Sequence, residues 1–159
     1  MHGQVSNDVE VGVPVDMVWD IYGTLKLAKV SAELLPGIVE KIEILEGDGG
    51  VGTMMKATFP PGSGFDYTIE KYTILDHDKH LKVAEIIEGG PLKLGFSLYR
   101  VRIETIEKDD NSTIIRSTIE YEIKEEFASN ASFATTALLD LLANAIGKYL
   151  VVDQKKADE

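Results

Sequence analysis

Residues 113–152 read TIIRSTIEYEIKEEFASNASFATTALLDLLANAIGKYLVV, and the period of the apolar positions changes within them. From Thr113 to Lys124, Ile115, Ser117, Ile119, Tyr121 and Ile123 alternate with Ile114, Arg116, Thr118, Glu120 and Glu122. A period of two marks a strand with one covered face. Further on, Leu138, Leu142, Ala145, Tyr149 and Val152 recur at helical spacing, with Asp140, Asn144 and Lys148 on another side. This predicts one long amphipathic helix from Ser129 or Ala134 through Val152. Gly147 inside it costs about 1 kcal/mol of helix propensity relative to Ala. The tail Lys155–Glu159 is polar and expected to fray. A helix with an apolar face that follows strands must lie against their sheet.

Upstream, Val9, Val11 and Val13 share one side of a strand spanning Val5–Val13. Pro14 suits a first helical turn, Val15, Val18, Trp19 and Tyr22 follow at helical spacing, and Gly23 ends that segment. A second short helix covers Lys26–Leu35 and stops at Pro36-Gly37. Strands follow at Val39–Glu46 and Thr53–Phe59, then two hairpins. The first pairs Tyr67–Leu75 with Lys79–Ile87 around Asp76-His77-Asp78. The second pairs Phe96–Ile106 with Thr113–Lys124. The predicted class is α+β: a curved, mostly antiparallel sheet, two short helices and one long C-terminal helix, in a single domain over 1–159. If the sheet curls around the helix, small residues leave room for a cavity. Ala57, Thr68, Ala84 and Ser117 are candidates on the sheet, and Ala131, Ala134, Ala137 and Ala143 on the helix side. Small residues also pack tightly, so this indication is weak.

Composition narrows the function. The 159 residues are 44% hydrophobic and 27% charged, as in a folded globular protein. Lys+Arg is 16 and Asp+Glu is 27, so the formal charge is 16 − 27 = −11. That count argues against a nucleic-acid partner and against docking on anionic membranes. Without cysteine there is no disulfide, thiol catalysis or thiolate metal site. The start, MHGQVSNDVEVGV, has no basic segment followed by a long apolar run, so a soluble cytoplasmic protein is expected. His2, His77 and His80 lack metal-ligand spacing with an acidic partner, so no metal is expected.

Gly47-Asp48-Gly49-Gly50-Val51-Gly52 satisfies G-x-G-x-x-G literally. A dinucleotide site needs a helix N-terminus after such a loop. Here Thr53–Phe59 reads as strand, so Gly47, Asp48, Gly49, Gly50 and Gly52 are expected to form a tight loop near the rim of the cavity. No cofactor is implied.

The strongest chemical pair is Glu70 with Lys82. With the hairpin centred on His77, Tyr72 faces Lys82, Glu70 faces Ala84 and Thr68 faces Ile86. Glu70 and Lys82 are then diagonal neighbours, about 7–8 Å apart at the backbone. On an outer face the pair is a solvated ion pair worth about 0–1 kcal/mol. On the inner face, where Tyr72 and Ile74 would also point, Lys82 loses its proton more easily while the carboxylate opposes that shift. Lys82 can then hydrogen-bond a carbonyl oxygen or form a Schiff base, and Glu70 can act as general base. Ser97, Tyr99, Val101, Ile103 and Thr105 share one face of their strand, and Tyr121 lies on the next. Tyr99 and Tyr121 can orient a ligand or simply fill core.

Several segments carry a family resemblance: Leu34-Leu35-Pro36-Gly37, Glu46 to Thr53, Thr58-Phe59-Pro60-Pro61-Gly62, Glu70-Lys71-Tyr72, Ile87-Glu88-Gly89-Gly90 and Lys124-Glu125-Glu126-Phe127. Nearly the whole chain resembles the plant pathogenesis-related class-10, birch-pollen-allergen family, in its norcoclaurine synthase and norbelladine synthase branch. The resemblance implies a START-like helix-grip fold, with a seven-stranded sheet around the long helix and an internal apolar cavity. It also implies four polar positions in the synthases. A carbonyl-activating lysine matches Lys82, and a proton-accepting glutamate matches Glu70. The tyrosine position holds Thr68 and the aspartate position holds Val101, so half of the polar set is missing. Tyr67, beside Thr68, would reach the cavity only through a bulge.

The expected catalytic residues are thus Lys82 and Glu70. Thr68, Tyr72, Tyr99, Val101, Tyr121, Leu138 and Leu142 are the expected substrate contacts. Two functions remain open. One is Pictet–Spengler-type condensation of an arylethylamine with an aldehyde. The other is non-catalytic carriage of hydrophobic plant metabolites or hormones. In both, the partner is a hydrophobic or aromatic small molecule and the protein a monomer or weak dimer.

Overall fold

From the N-terminus the chain forms β1 (His2–Val11), α1 (Val15–Tyr22), α2 (Lys26–Leu34), β2 (Lys41–Glu46), β3 (Met54–Thr58), β4 (Tyr67–Asp76) and β5 (Leu81–Gly89). β6 (Phe96–Asp109), β7 (Ser112–Ile123) and α3 (Ala137–Asp158) complete it, with 3-10 turns at Gly90–Leu94 and Glu125–Phe133. The structure is a computed structural model and describes residues 1–158. All strands join one antiparallel sheet in the order β1-β7-β6-β5-β4-β3-β2. The expected α+β helix-grip architecture is the observed one.

The alternation in β7 sets the inner face. Ile115, Ile119 and Ile123 are buried there, each contributing about 1.5–3 kcal/mol by leaving water. The outer face carries charge pairs, Arg116 with Asp8 at 2.9 Å and Arg102 with Glu104 at 2.9 Å. These pairs are partly solvated and contribute about 0–1 kcal/mol each.

α3 lies across the inner face, but not on the predicted stripe. Ala143, Ile146, Gly147 and Leu150 are its buried residues. Tyr149 and Val152 are 38% and 53% exposed, while Leu138 and Leu142 line a cavity, Leu142 also packing on the core cluster. Apolar residues occur on several sides of α3, so period alone did not select the buried side. Gly147 does select it: a Cβ there would stand 2.5 Å from Val11 Cγ1. The missing side chain lets the helix press onto β1. Helical structure also continues through Asp158, past the point expected to fray. By length and composition the stretch Glu125–Asp158 could cross a membrane, a property shared by the core helices of soluble proteins. Here α3 is the helix that the sheet grips.

The β4–β5 hairpin differs from its predicted register. The turn is His77–His80, not three residues centred on His77. Asp76 Oδ1 accepts the backbone N–H groups of Asp78 and Lys79, and His80 adopts a left-handed backbone with φ 51°. Trp19 holds this tip against α1: its Nε1–H donates to His77 Nδ1 at 3.0 Å and its ring stacks on His80 at 5.2 Å. Tyr72 consequently pairs with Ala84, Glu70 with Ile86, and Lys82 with Leu75. Irregularities fall at Thr73 in β4 and Ile87 in β5. The first turns Ile74 outward, 44% exposed, correcting its inward placement. Another, at Ser97 in β6, puts Phe96 inside and Ser97 outside.

Candidate active site

A cavity of about 500 Å³ opens between the sheet, α2 and the first half of α3. Its walls are mostly aliphatic and aromatic, and among the described residues Glu70 and Lys82 are its only charged side chains. Glu70 enters from β4, flanked by Met55 on β3 and Ile86 on β5. Lys82 enters from the start of β5, beside Ile103 on β6. The corrected register lengthens their separation. Lys82 lies four residues along β5 from Glu70's partner, about 13 Å of strand. Among the described residues no ion pair within 4 Å engages either group.

Burial governs both charges. Lys82 is only 3% exposed, and lack of water pulls its ammonium down to about 8, with Glu70 holding it up against that fall. Glu70 is enclosed by protein but borders the cavity, so its side chain stays partly accessible from inside. Burial raises its carboxyl above the usual range, and Lys82 opposes that rise. The lysine Nζ stands 4.8 Å from the ring centre of Tyr72 and 5.9 Å from that of Tyr22. These aromatic faces contact the ammonium without forming an ion pair.

The other expected contacts divide. Thr68, Tyr99, Val101, Leu138 and Leu142 line the cavity. Tyr72 does not: its pairing with Ala84 and packing on Met55 place it within the wall, where its buried hydroxyl has no hydrogen-bond partner among the described residues. Tyr121 does not either. The irregularity at Ser97 brings Phe96 beside it at 5.5 Å, and its ring packs over Gly3. Gly47, Gly52 and the intervening Asp48, Gly49 and Gly50 also lie off this cavity. Asp48, Gly49 and Gly50 line a separate hollow with Gly23, Thr24 and His77, because Gly52 N and Tyr72 N are tied into the β3–β4 edge. Tyr67 points outward and donates its hydroxyl to Glu88 at 2.9 Å, which raises the phenol's pKa. The irregularity that could have turned it inward falls on β5 instead.

Sequence reasoning missed Tyr22, Ser31, Ser63 and Phe65, all lining residues. Tyr22 had a signal, its helical spacing, but that reads equally as core. Ser63 and Phe65 stand in a loop whose path sequence periodicity does not report. Of the small residues, Ala57, Thr68 and Ala84 line the cavity, whereas Ser117 and Ala143 are packed into the core.

The match to the Pathogenesis-related protein Bet v 1 family model runs over residues 1–153. The chain belongs to that family. It is 48% identical to norbelladine synthase of Narcissus pseudonarcissus over 159 residues, 99% of this chain and 96% of that protein. It is 38% identical to S-norcoclaurine synthase 2 of Papaver somniferum, over 93% of this chain but 65% of that one. The structure of norcoclaurine synthase from Thalictrum flavum in complex with dopamine and hydroxybenzaldehyde superposes with a TM-score of 0.87 at 37% identity, covering 95% of this chain and 87% of the other.

Proposed function

We propose that this protein condenses an arylethylamine with an aldehyde in the cavity. The observation that carries the reading is a buried lysine that, among the described residues, has no ion-pair partner within 4 Å and shares an apolar cavity with one carboxylate. The Lys82 ammonium donates a hydrogen bond to the aldehyde oxygen and polarises the carbonyl. The amine adds, water leaves, and an iminium forms. In the Pictet–Spengler step the aromatic ring attacks the iminium carbon, and Glu70 takes the ring proton. The apolar wall excludes water and strengthens both contacts.

The test is chiral chromatography with mass detection on dopamine and 4-hydroxyphenylacetaldehyde. Wild type, Lys82→Ala and a protein-free control are compared at one pH. Chiral product from the wild type, falling by about 10²–10³-fold in Lys82→Ala, supports the reading. Racemic product at the background rate defeats it.

Thr68 and Val101 favour a second reading. They put a small hydroxyl and an aliphatic side chain in the cavity where the resemblance called for a phenol and a carboxylate. A carrier for hydrophobic metabolites would use the same volume without turnover. Tight calorimetric binding of aromatic ligands, unchanged by Lys82→Ala and without product, is its signature.

A further inference from the structure

We propose that Lys82 and Glu70 also process an aldehyde on its own, by imine capture and removal of a proton from the carbon next to the carbonyl. This activity uses the residues of the condensation reading but needs no amine substrate. The geometry that points to it is a buried amine and a single carboxylate lining one apolar cavity, apart from each other but open to the same small substrate. Lys82 is almost fully buried yet, among the described residues, meets no carboxylate within 4 Å, so none of them locks its Nζ in an ion pair. Its surroundings are two tyrosine rings, from α1 and β4, and Ile103 on β6. The part of α3 facing the cavity contributes Leu138, Leu139 and Leu142. Glu70 is the one carboxylate lining the cavity among the described residues. Tyr22 and Tyr99 cannot replace it as base, because burial keeps both phenols protonated, the latter with its pKa pushed up to about 12.

The chemistry balances without an oxidant or co-reactant. Neutral Lys82 Nζ adds to the carbonyl carbon, the adduct takes up one proton from solvent, water leaves and a protonated imine remains, the proton being returned to solvent on hydrolysis. That cation withdraws electrons from the adjacent C–H bond. The Glu70 carboxylate takes the proton, and the C–H electron pair forms the C=C bond of an enamine. Reprotonation of this carbon by the Glu70 carboxyl and hydrolysis return the aldehyde and the free lysine. The net result is exchange of the aldehyde's α-hydrogens with solvent. A lysine whose pKa lies near 8 supplies a usable neutral fraction under mildly basic conditions.

Phenylacetaldehyde in deuterated buffer, followed by proton NMR, is the probe. The expected rate of deuterium uptake is about 100-fold above buffer alone, falling to the buffer rate in Lys82→Arg. Borohydride added during turnover should fix the aldehyde on the wild-type protein, and peptide mapping should place it on Lys82. Glu70→Gln should keep that adduct and lose the exchange. Absence of an adduct at Lys82 in the wild type overturns the proposal, as does exchange that persists in Lys82→Arg. The adduct is read on wild-type protein, so a variant that fails to fold does not remove the test. Chiral condensation product without an adduct would defeat this proposal alone. An adduct with exchange but no condensation product would defeat only the condensation reading.

Discussion

The opening turns of α3 and its middle meet the same sheet under opposite rules. The middle is pressed down: Ala143, Ile146, Gly147 and Leu150 are buried, and Gly147 rests on Val11. The opening turns line the cavity of about 500 Å³ through Leu138, Leu139 and Leu142. The middle belongs to the core cluster built from Val11, Val13, Val18, Trp19 and Ile115, and Leu142 sits at the border, packed on that cluster and lining the cavity. The opening turns face Glu70 and Lys82, charges that would cost stability if sealed in without partners. One helix therefore divides the labour, with binding space at its start and stability in its middle.

That division breaks most visibly at Ile146. Its side chain is fully buried between helix and sheet. Ile146→Ala removes three carbons and leaves a void that the sheet cannot close, so a loss of about 2–5 kcal/mol is expected in urea unfolding. A loss below 1 kcal/mol would mean that the middle of α3 is not the anchor.

A sharper contrast comes from the cavity, where replacing the charge should stabilise. Lys82→Met keeps much of the volume and removes the cost of burying an ammonium. In the folded protein Lys82 titrates near 8, against an ordinary value of 10.5. A depressed folded pKa means that the penalty is complete below pH 8 and disappears as pH rises through 10.5. The expected gain is about 1–3 kcal/mol at pH 7, because a shift of this size is worth about 3 kcal/mol before cavity water screens it. Urea unfolding from pH 7 to pH 10.5 should show the two proteins converging. A gain that is constant with pH would mean that packing, not charge, limits stability there.

The same contrast explains what the sequence made legible. Strand alternation in β7 and the break in period before α3 identified the sheet and its helix, because long periodic segments report their covered faces directly. The side of α3 that packs was not legible. Its leucines, alanines and isoleucine surround most of the axis, and the decisive residue was a glycine whose role depends on Val11, far away in sequence. Glu70 and Lys82 were recognisable by alternation and resemblance, and both line the cavity. Their separation was not recognisable, because it depends on a His77–His80 turn held by Trp19 and on irregularities at Thr73 and Ile87. Tyr72 and Tyr121 share the failure: alternation assigns a side of the sheet, whereas local packing decides whether that side reaches the void.

The smallest expected stability effect is the most direct test of the opening turns of α3. Leu138 is 40% exposed and lines the cavity instead of filling core. Leu138→Ala creates little new void, so it should cost less than about 1 kcal/mol, where a packed leucine would cost about 2–5. Its effect should appear instead in binding. Truncation enlarges the cavity and removes a wall contact, so a small aromatic aldehyde should bind several-fold more weakly while a bulkier analogue is tolerated better. Calorimetry with two aldehydes differing in ring size, read beside the melting temperature, separates the outcomes. A large stability loss with unchanged selectivity would place Leu138 in the core, and the division of α3 into anchor and cavity wall would fail.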